Sequence, residues 1–104
     1  MSDKYLNIAR DIILNIIDRE NVTVFLFGSR ADRNFVHNSD IDVGFLSNKK
    51  LDDTLFSKIN EALDESIVPY HFDLVDFSKT DKRFRSIALN KIEIWNRAKD
   101  SNIN

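Results

Sequence analysis

The 104-residue chain is 42% apolar and 31% charged, the composition of one globular domain rather than of a disordered segment. Fifteen basic against seventeen acidic residues give a net charge of −2, which argues against a protein that mainly coats a nucleic-acid backbone. The chain has no cysteine, so disulfides and thiolate metal sites are excluded. Neither a signal peptide nor an apolar run of about 18 residues is present, so we expect a cytoplasmic protein without a membrane partner.

Helical and strand patterns alternate along the chain. The first predicted elements are a helix over 3–19 capped by Ser2 or Asp3, a buried strand over 22–27, helical turns over 29–34 and a loop over 35–39. A strand over 41–46, a helix with an apolar stripe from Leu51 to Leu63 and a strand over 70–77 follow. The chain is then predicted to form a last helix, capped by Ser78 or Thr80 and carrying Phe84, Ile87 and Ala88, and a closing strand over 92–95. This alternation predicts an α/β (α+β) fold, a small mixed β-sheet flanked by helices. We expect one domain over 1–98 and a polar C-terminal tail over 99–104.

Gly28, one of only two glycines, stands where the first strand ends and a helical turn is predicted to begin. A glycine there lets the backbone approach a ligand closely, and the amides at a helix start attract phosphate. Ser29 adds a hydroxyl donor and Arg30 a positive charge. Because an ordinary strand-ending turn explains Gly-Ser taken alone, the pair indicates a phosphate site only in combination with other residues.

Two acids, Asp40 and Asp42, stand at the start of the second strand. Alternate residues of a strand share one face, with backbones roughly 6–7 Å apart, so these carboxylates project side by side. They repel each other unless a cation or hydrogen bonds compensate. Carboxylates of this kind suit Mg²⁺, which also keeps waters and substrate phosphates as ligands. The alternative is a turn-forming Ser-Asp followed by a solvent-facing acid on an edge strand.

A third acid, Asp73, lies within an apolar strand, where an unpaired carboxylate is costly. If this strand runs beside that of Asp42, the three carboxylates form one cluster that could hold two metal ions for in-line phosphoryl chemistry. Asp73 is then the candidate that takes a proton from the attacking hydroxyl. Asp76, three positions further on, is predicted to face the other side of the strand.

The combined motif resembles the nucleotidyltransferase superfamily that includes DNA polymerase β. More closely, the chain resembles the minimal nucleotidyltransferase (MNT) proteins, the small partners of HEPN-domain proteins in bacteria and archaea. The resemblance extends over nearly all of the chain and implies the nucleotidyltransferase fold. The residues that carry it are Gly28-Ser29, ten intervening residues, Asp40-Ile41-Asp42, and Asp73 on a later strand.

One short segment departs from the family pattern. MNT proteins often carry a glycine a few residues after Gly-Ser-Arg, where this chain has Asp32, Arg33 and Asn34. Asn34 tolerates a left-handed backbone, so the turn is compatible with it. The acidic side chain of Asp32 is expected to weaken anion binding.

The resemblance implies that a nucleoside monophosphate is transferred from an NTP to a hydroxyl acceptor and that pyrophosphate is released. ATP, and hence AMP transfer, is the expected case. The resemblance also implies a triphosphate site and a site for Mg²⁺ or Mn²⁺. The nucleotide residues would be Gly28, Ser29 and Arg30, and the catalytic, metal-binding acids would be Asp40, Asp42 and Asp73.

The resemblance implies a partner as well, a helical HEPN-type protein encoded nearby. About 100 residues suffice for the sheet, its helices and the three acids, but leave little chain for an acceptor pocket. We therefore expect the acceptor to lie on, or be held by, that partner in a hetero-oligomer. The alternative is an antitoxin-like or nucleotide-binding subunit that masks a partner toxin without significant catalysis of its own. The intact acid set favours the enzyme, because a pure binding module does not need three clustered acids.

The remaining polar and aromatic residues have mainly structural interpretations. Residues 52–76 carry seven acids and one base, and residues 77–100 carry seven bases and three acids. Either an acidic site stands beside a basic flank, or these charges are solvated helix faces. His71 shares the predicted face of Asp73 and could line the nucleotide site, but no ligand spacing links it to His37. Five aromatic side chains are predicted to lie in the core rather than to stack on bases: Phe25, Phe27, Phe45, Phe72 and Trp95.

Overall fold

A computed structural model of the chain describes residues 4–28, 41–79 and 92–99. The elements are α1 (Lys4–Ile16), β1 (Val22–Phe27), β2 (Ile41–Ser47), α2 (Asp53–Asp64), β3 (Phe72–Asp76), a 3-10 turn over Phe77–Lys79, and β4 (Glu93–Asn96). The strand order is β3-β2-β1-β4, with β2 and β3 parallel and the other two pairs antiparallel. The predicted small mixed sheet is thus confirmed. None of the helices in these three ranges is long and apolar enough to cross a membrane.

Helices α1 and α2 pack on the same face of the sheet. Successive residues of a strand point to opposite faces, so every second residue of β1 and β2 contributes to the core beneath the helices. The two helices have apolar stripes at helical spacing, and they bury Ile13 of α1 and Ile59 of α2 completely. The fully buried side chains of this core are Ala9, Ile13, Val24, Leu26, Ile41, Val43, Phe45 and Ile59.

The opposite face of the sheet carries a separate aromatic cluster. Phe25 and Phe77 are fully buried, with ring centroids 5.1 Å apart, and Phe27 packs edge-on against Phe77 at 5.0 Å. Gly44 stands directly opposite Phe25 in the β1–β2 ladder. A Cβ at Gly44 would overlap the Phe25 ring, so the absence of a side chain makes room for the aromatic cluster.

Several helix and strand ends differ from their predicted positions because side-chain carboxylates accept hydrogen bonds from backbone N–H groups there. The first helix ends at Ile16, before 19, and Asp18 accepts hydrogen bonds from the Glu20 backbone and the Asn21 side chain in the following turn. The second helix begins at Asp53, after its N-cap Asp52 accepts from the Thr54 backbone N–H. That hydrogen bond holds the pKa of Asp52 below its ordinary value.

The last two strands also differ from their predicted limits. The third strand was predicted over 70–77 but occupies only Phe72–Asp76. Asp76 Oδ1 accepts from the Ser78 backbone N–H at 3.0 Å, and this bond turns the chain out of the ladder at Phe77. The closing strand is displaced by one residue to Glu93–Asn96. Its pairing with β1 shifts register between Val24 and Phe25.

Several predictions fall on residues outside the described ranges. These are the caps Ser2 and Asp3, the helical turns over 29–34, the loop over 35–39, and the last helix with Thr80, Phe84, Ile87 and Ala88. Near the predicted domain boundary, the Lys99 backbone N–H donates to the Glu20 carbonyl at 2.9 Å. The first residue of the predicted tail is therefore tied to the turn after α1, and the boundary at 98 stays a prediction.

Replacing Gly44 tests the contact between the two central strands and the aromatic cluster. We expect Gly44→Ala to lower the free energy of unfolding by about 1–3 kcal/mol, because the new Cβ displaces the Phe25 ring. Urea denaturation measures this change. The control is Ile67→Ala, which truncates a side chain that is 70% exposed and should alter stability by no more than about 0.5 kcal/mol. A Gly44→Ala variant as stable as the parent would contradict the close packing of Phe25 against Gly44.

Candidate functional site

Gly28 ends β1 in a conformation that favours glycine. Its φ is +75°, in the left-handed region, and the residue is exposed. A Cβ at this position would lie 2.5 Å from Asp42 Oδ2, which is closer than real Cβ atoms approach other heavy atoms. Gly28 is therefore required by its backbone angle and by the carboxylate beside it. The same absence of a side chain lets the Gly28 backbone and the Asp42 carboxylate lie next to each other.

Asp42 and Asp73 are neighbours across the parallel strands β2 and β3. They are direct partners in the register of this ladder, which places their backbones about 5 Å apart. Both project from the face opposite the helices, because Ile41, Val43, Phe72 and Leu74 belong to the core beneath α1 and α2. Asp42 is half-buried and Asp73 is exposed. The two acids therefore come together across adjacent strands, as the three-acid cluster would require, and their roles in a site stay a prediction.

The site runs across three strands at one level of the sheet. Asp42 is paired with Phe27 of β1 on one side and with Asp73 of β3 on the other, and Gly28 directly follows Phe27. Three of the six predicted site residues, Gly28, Asp42 and Asp73, therefore lie in one row. The other three, Ser29, Arg30 and Asp40, lie outside the described residues.

Two adjacent carboxylates beside an open glycine fit a hard divalent cation. Like charges held this close favour a cation between them, and carboxylate oxygens are the ligands that Mg²⁺ prefers. Among residues 4–28, 41–79 and 92–99, no three His, Cys, Asp or Glu side chains form a group able to hold a metal. The complete cluster with Asp40 therefore stays a prediction.

Asp76 lies on the other side of β3, as its position predicts. It is the ladder partner of Phe45, which is buried in the core under the helices. Its Oδ1 accepts hydrogen bonds from the Ser78 backbone and hydroxyl, whereas Oδ2 is buried and has no hydrogen-bond partner in the described part of the chain. Asp76 thus shapes the turn after β3 and is separated from Asp42 and Asp73 by the sheet itself.

The charges and aromatic residues near the site have the structural roles expected of them. The acids of α2 and its flanks are exposed, which supports the solvated-face interpretation for that part of the acidic run 52–76. The aromatic residues predicted to lie in the core do so: Phe25, Phe27 and Phe45 are buried, and Phe72 and Trp95 pack partly buried against the helix-side core. His71 is exposed just before β3.

Gly44 is a supporting residue that the sequence reasoning did not identify. It lies two positions after Asp42 on the same face of β2 and accommodates the Phe25 ring there. The aromatic cluster can therefore pack directly beside the carboxylates. A glycine in the interior of a predicted strand was the available signal, because such a glycine often marks close approach of another group.

The sequence of this chain matches known proteins over most of its length. The family model described as polymerase beta nucleotidyltransferase matches residues 11–100. A Haemophilus influenzae protein described as a probable protein adenylyltransferase MntA is 33% identical over 82 residues, which cover 79% of this chain and 70% of that protein.

Solved structures show the same fold. A toxin–antitoxin crystal structure with AMP-PNP has a TM-score of 0.69 at 22% identity, covering 89% of this chain and 73% of that one. A tri-AMPylated Shewanella oneidensis HEPN toxin in complex with MNT antitoxin has a TM-score of 0.59 at 18% identity, with coverages of 86% and 70%. The predicted nucleotidyltransferase fold is confirmed.

A double-mutant cycle tests the contact between Gly28 and Asp42. We expect Gly28→Ala to destabilise the protein for two reasons, a left-handed backbone cost of roughly 1–2 kcal/mol and the overlap with Asp42 Oδ2. In an Asp42→Ala background only the backbone cost remains, so Gly28→Ala should destabilise less there, by at least about 0.5 kcal/mol. Denaturant unfolding of the four proteins measures this coupling. Strictly additive effects would show that the two residues do not touch.

Proposed function

The chain belongs to the polymerase β nucleotidyltransferase family, and from this premise we propose that it transfers AMP from ATP to a hydroxyl acceptor. The acceptor lies on, or is held by, a helical HEPN-type partner. One observation carries the proposal: the open glycine at the end of β1 stands beside two carboxylates paired across β2 and β3. Because ATP is abundant in the cytoplasm, that is the proposed location.

The proposed reaction is an in-line displacement at the α-phosphorus of ATP. The acceptor hydroxyl oxygen forms a bond to this phosphorus while the bond from phosphorus to the oxygen bridging the α- and β-phosphates breaks. AMP remains on the acceptor and pyrophosphate leaves. The hydroxyl proton passes to Asp73, whose exposed carboxylate is accessible to an entering acceptor.

The residues at the end of β1 are proposed to bind the triphosphate. Gly28 leaves the backbone open next to Asp42, so phosphate oxygens and carboxylate could approach the same ion. Ser29 and Arg30 follow directly in the sequence and would add a hydroxyl donor and a positive charge. Mg²⁺ or Mn²⁺, held by Asp40, Asp42 and Asp73, would supply Lewis-acid stabilisation of the charge on the phosphoryl oxygens.

The toxin–antitoxin relatives favour a HEPN-type partner and also support a second function. Two of the solved structures with this fold are toxin–antitoxin assemblies, one of them with an AMPylated HEPN toxin. A subunit that only masks such a toxin, without chemistry of its own, is the second candidate. The paired acids favour catalysis, because masking a partner does not require two like charges at adjacent ladder positions.

AMP transfer should depend on the acids of the site. The chain and the HEPN-type product of the neighbouring gene are co-purified and incubated with Mg²⁺ and ATP labelled at the α-phosphate, and label on the partner is measured. We expect Asp42→Asn to reduce labelling to background and Asp73→Asn to slow it by about 10²–10⁴-fold, as expected when a general base is lost.

The matched control for transfer is Asp64→Asn, which removes an exposed acid at the end of α2 and should transfer at the parental rate. Unchanged labelling by Asp42→Asn would refute the proposed active site. Efficient transfer to a small molecule by the isolated chain would instead refute the role of the partner. A stable complex without any transfer would favour the masking function.

Metal binding can be measured apart from turnover. We expect Mn²⁺ titrated in the presence of a nonhydrolysable ATP analogue to bind the parent protein, with binding largely abolished in Asp42→Asn. The control is Asp76→Asn, a change of the same kind on β3 whose side chain lies on the opposite face. Isothermal titration or the paramagnetic signal of free Mn²⁺ reports the affinity. Equal loss of Mn²⁺ binding in Asp42→Asn and Asp76→Asn would mean that Asp42 does not hold the ion at a local site.

A further inference from the structure

The row of site residues has a direction across the sheet. Gly28 follows β1, Asp42 lies on the central strand β2, and Asp73 lies on β3. Among the described strands β3 has a neighbour on one side only, because the order is β3-β2-β1-β4. One end of the row therefore adjoins the middle of the sheet, and the other end lies on β3, the edge strand of this described order.

In-line chemistry places the leaving pyrophosphate and the attacking hydroxyl at opposite ends of the row. The attacking and leaving oxygens of a phosphoryl transfer lie roughly in line on opposite sides of the phosphorus. The proposed function, on which this inference rests, places the leaving pyrophosphate at Gly28. The attacking hydroxyl must then approach from the side of Asp73. We infer that the acceptor enters across the edge of β3 and that His71 contacts it directly.

His71 has the right position and chemistry for that contact. It precedes β3 by one residue and lies on the same face as Asp73, because the two are separated by one residue of extended chain. Their backbones are therefore roughly 6–7 Å apart. The side chain is exposed, and an imidazole offers both a hydrogen-bond donor and an acceptor. Such a group can orient a hydroxyl-bearing side chain near Asp73 without being a metal ligand itself.

The backbone around His71 is held in place from two directions. Its carbonyl accepts a hydrogen bond of 2.9 Å from the Ile41 N–H, at the start of the strand that carries Asp42. The preceding residue, Tyr70, packs edge-on against Tyr5 of α1, with ring centroids 6.1 Å apart. His71 is therefore an exposed side chain on an anchored backbone, so an acceptor that hydrogen-bonds to it would gain orientation at little cost in loop ordering.

The test separates acceptor contact from nucleotide binding. With the separately purified partner protein as acceptor, the KM for the partner and the KM for ATP are measured for the parent, His71→Ala and His71→Gln. We expect His71→Ala to raise the KM for the partner by roughly 3- to 10-fold, the effect of one lost hydrogen bond, and to leave the KM for ATP and Mn²⁺ affinity within about twofold. His71→Gln, which keeps a donor and an acceptor, should restore part of the loss.

Two controls distinguish a lost acceptor contact from a general effect of surface substitution or of unfolding. Lys58→Ala removes an exposed charge on α2, away from the site face, and should change neither KM. Unfolding temperatures show that the His71 variants are folded. An unchanged KM for the partner in His71→Ala, or equal changes in the KM for the partner and the KM for ATP, overturns the inference while Asp42-dependent transfer still stands. If the parent transfers no AMP, or if Asp42→Asn transfers it as well as the parent, the proposed function is overturned, and the role of His71 with it.

Discussion

The parallel ladder between β2 and β3 is the constraint on which the site depends. It makes Asp42 and Asp73 direct partners, and the residues on either side of them belong to the core beneath the helices. A slip of one residue would turn Asp73 toward α1 and α2 and bring apolar side chains out to the site face. Apolar burial on the helix side of the sheet therefore fixes the register. The register in turn brings the two acids together on the opposite face.

The division of the sheet into two faces explains how a small chain supports two like charges. The helix-side core contains most of the buried apolar residues, so the opposite face is left for the acids and a compact aromatic cluster. Phe25, Phe27 and Phe77 bury that face beside the carboxylates without placing a charge in the core. Repulsion between the acids is thus kept on the face opposite the helix-side core.

Both glycines of the chain stand on this side of the sheet, and each is needed for a different reason. Gly28 combines a left-handed backbone with close approach to Asp42, and so belongs to the candidate site. Gly44 has no unusual backbone but leaves room for the Phe25 ring. The first glycine lets the chain turn against a carboxylate, and the second leaves room for an aromatic ring. Gly28 lies at one end of the row and Gly44 lies two positions after Asp42 on β2, so the stability of the sheet and the shape of the site are linked.

Local sequence patterns predicted the elements more reliably than their ends. Alternating strand runs and helical stripes placed every described helix and strand, because apolar periodicity reflects which face is buried. The ends were displaced where one polar side chain replaced a backbone hydrogen bond, as Asp52 does before α2 and Asp76 does after β3. Such exchanges depend on local geometry that the periodicity of apolar residues does not record.

The sequence by itself determined the residue types of the site and their order: a glycine turn, two acids spaced for one strand face, and a third acid on a later strand. Only the tertiary structure decided that β3 lies parallel to β2, in the register that pairs Asp73 with Asp42 and turns Asp76 to the opposite face. It also placed Gly28 against the Asp42 carboxylate. The physical reason is that strand order and register are set by packing between distant segments, and no pattern within a single segment encodes that packing.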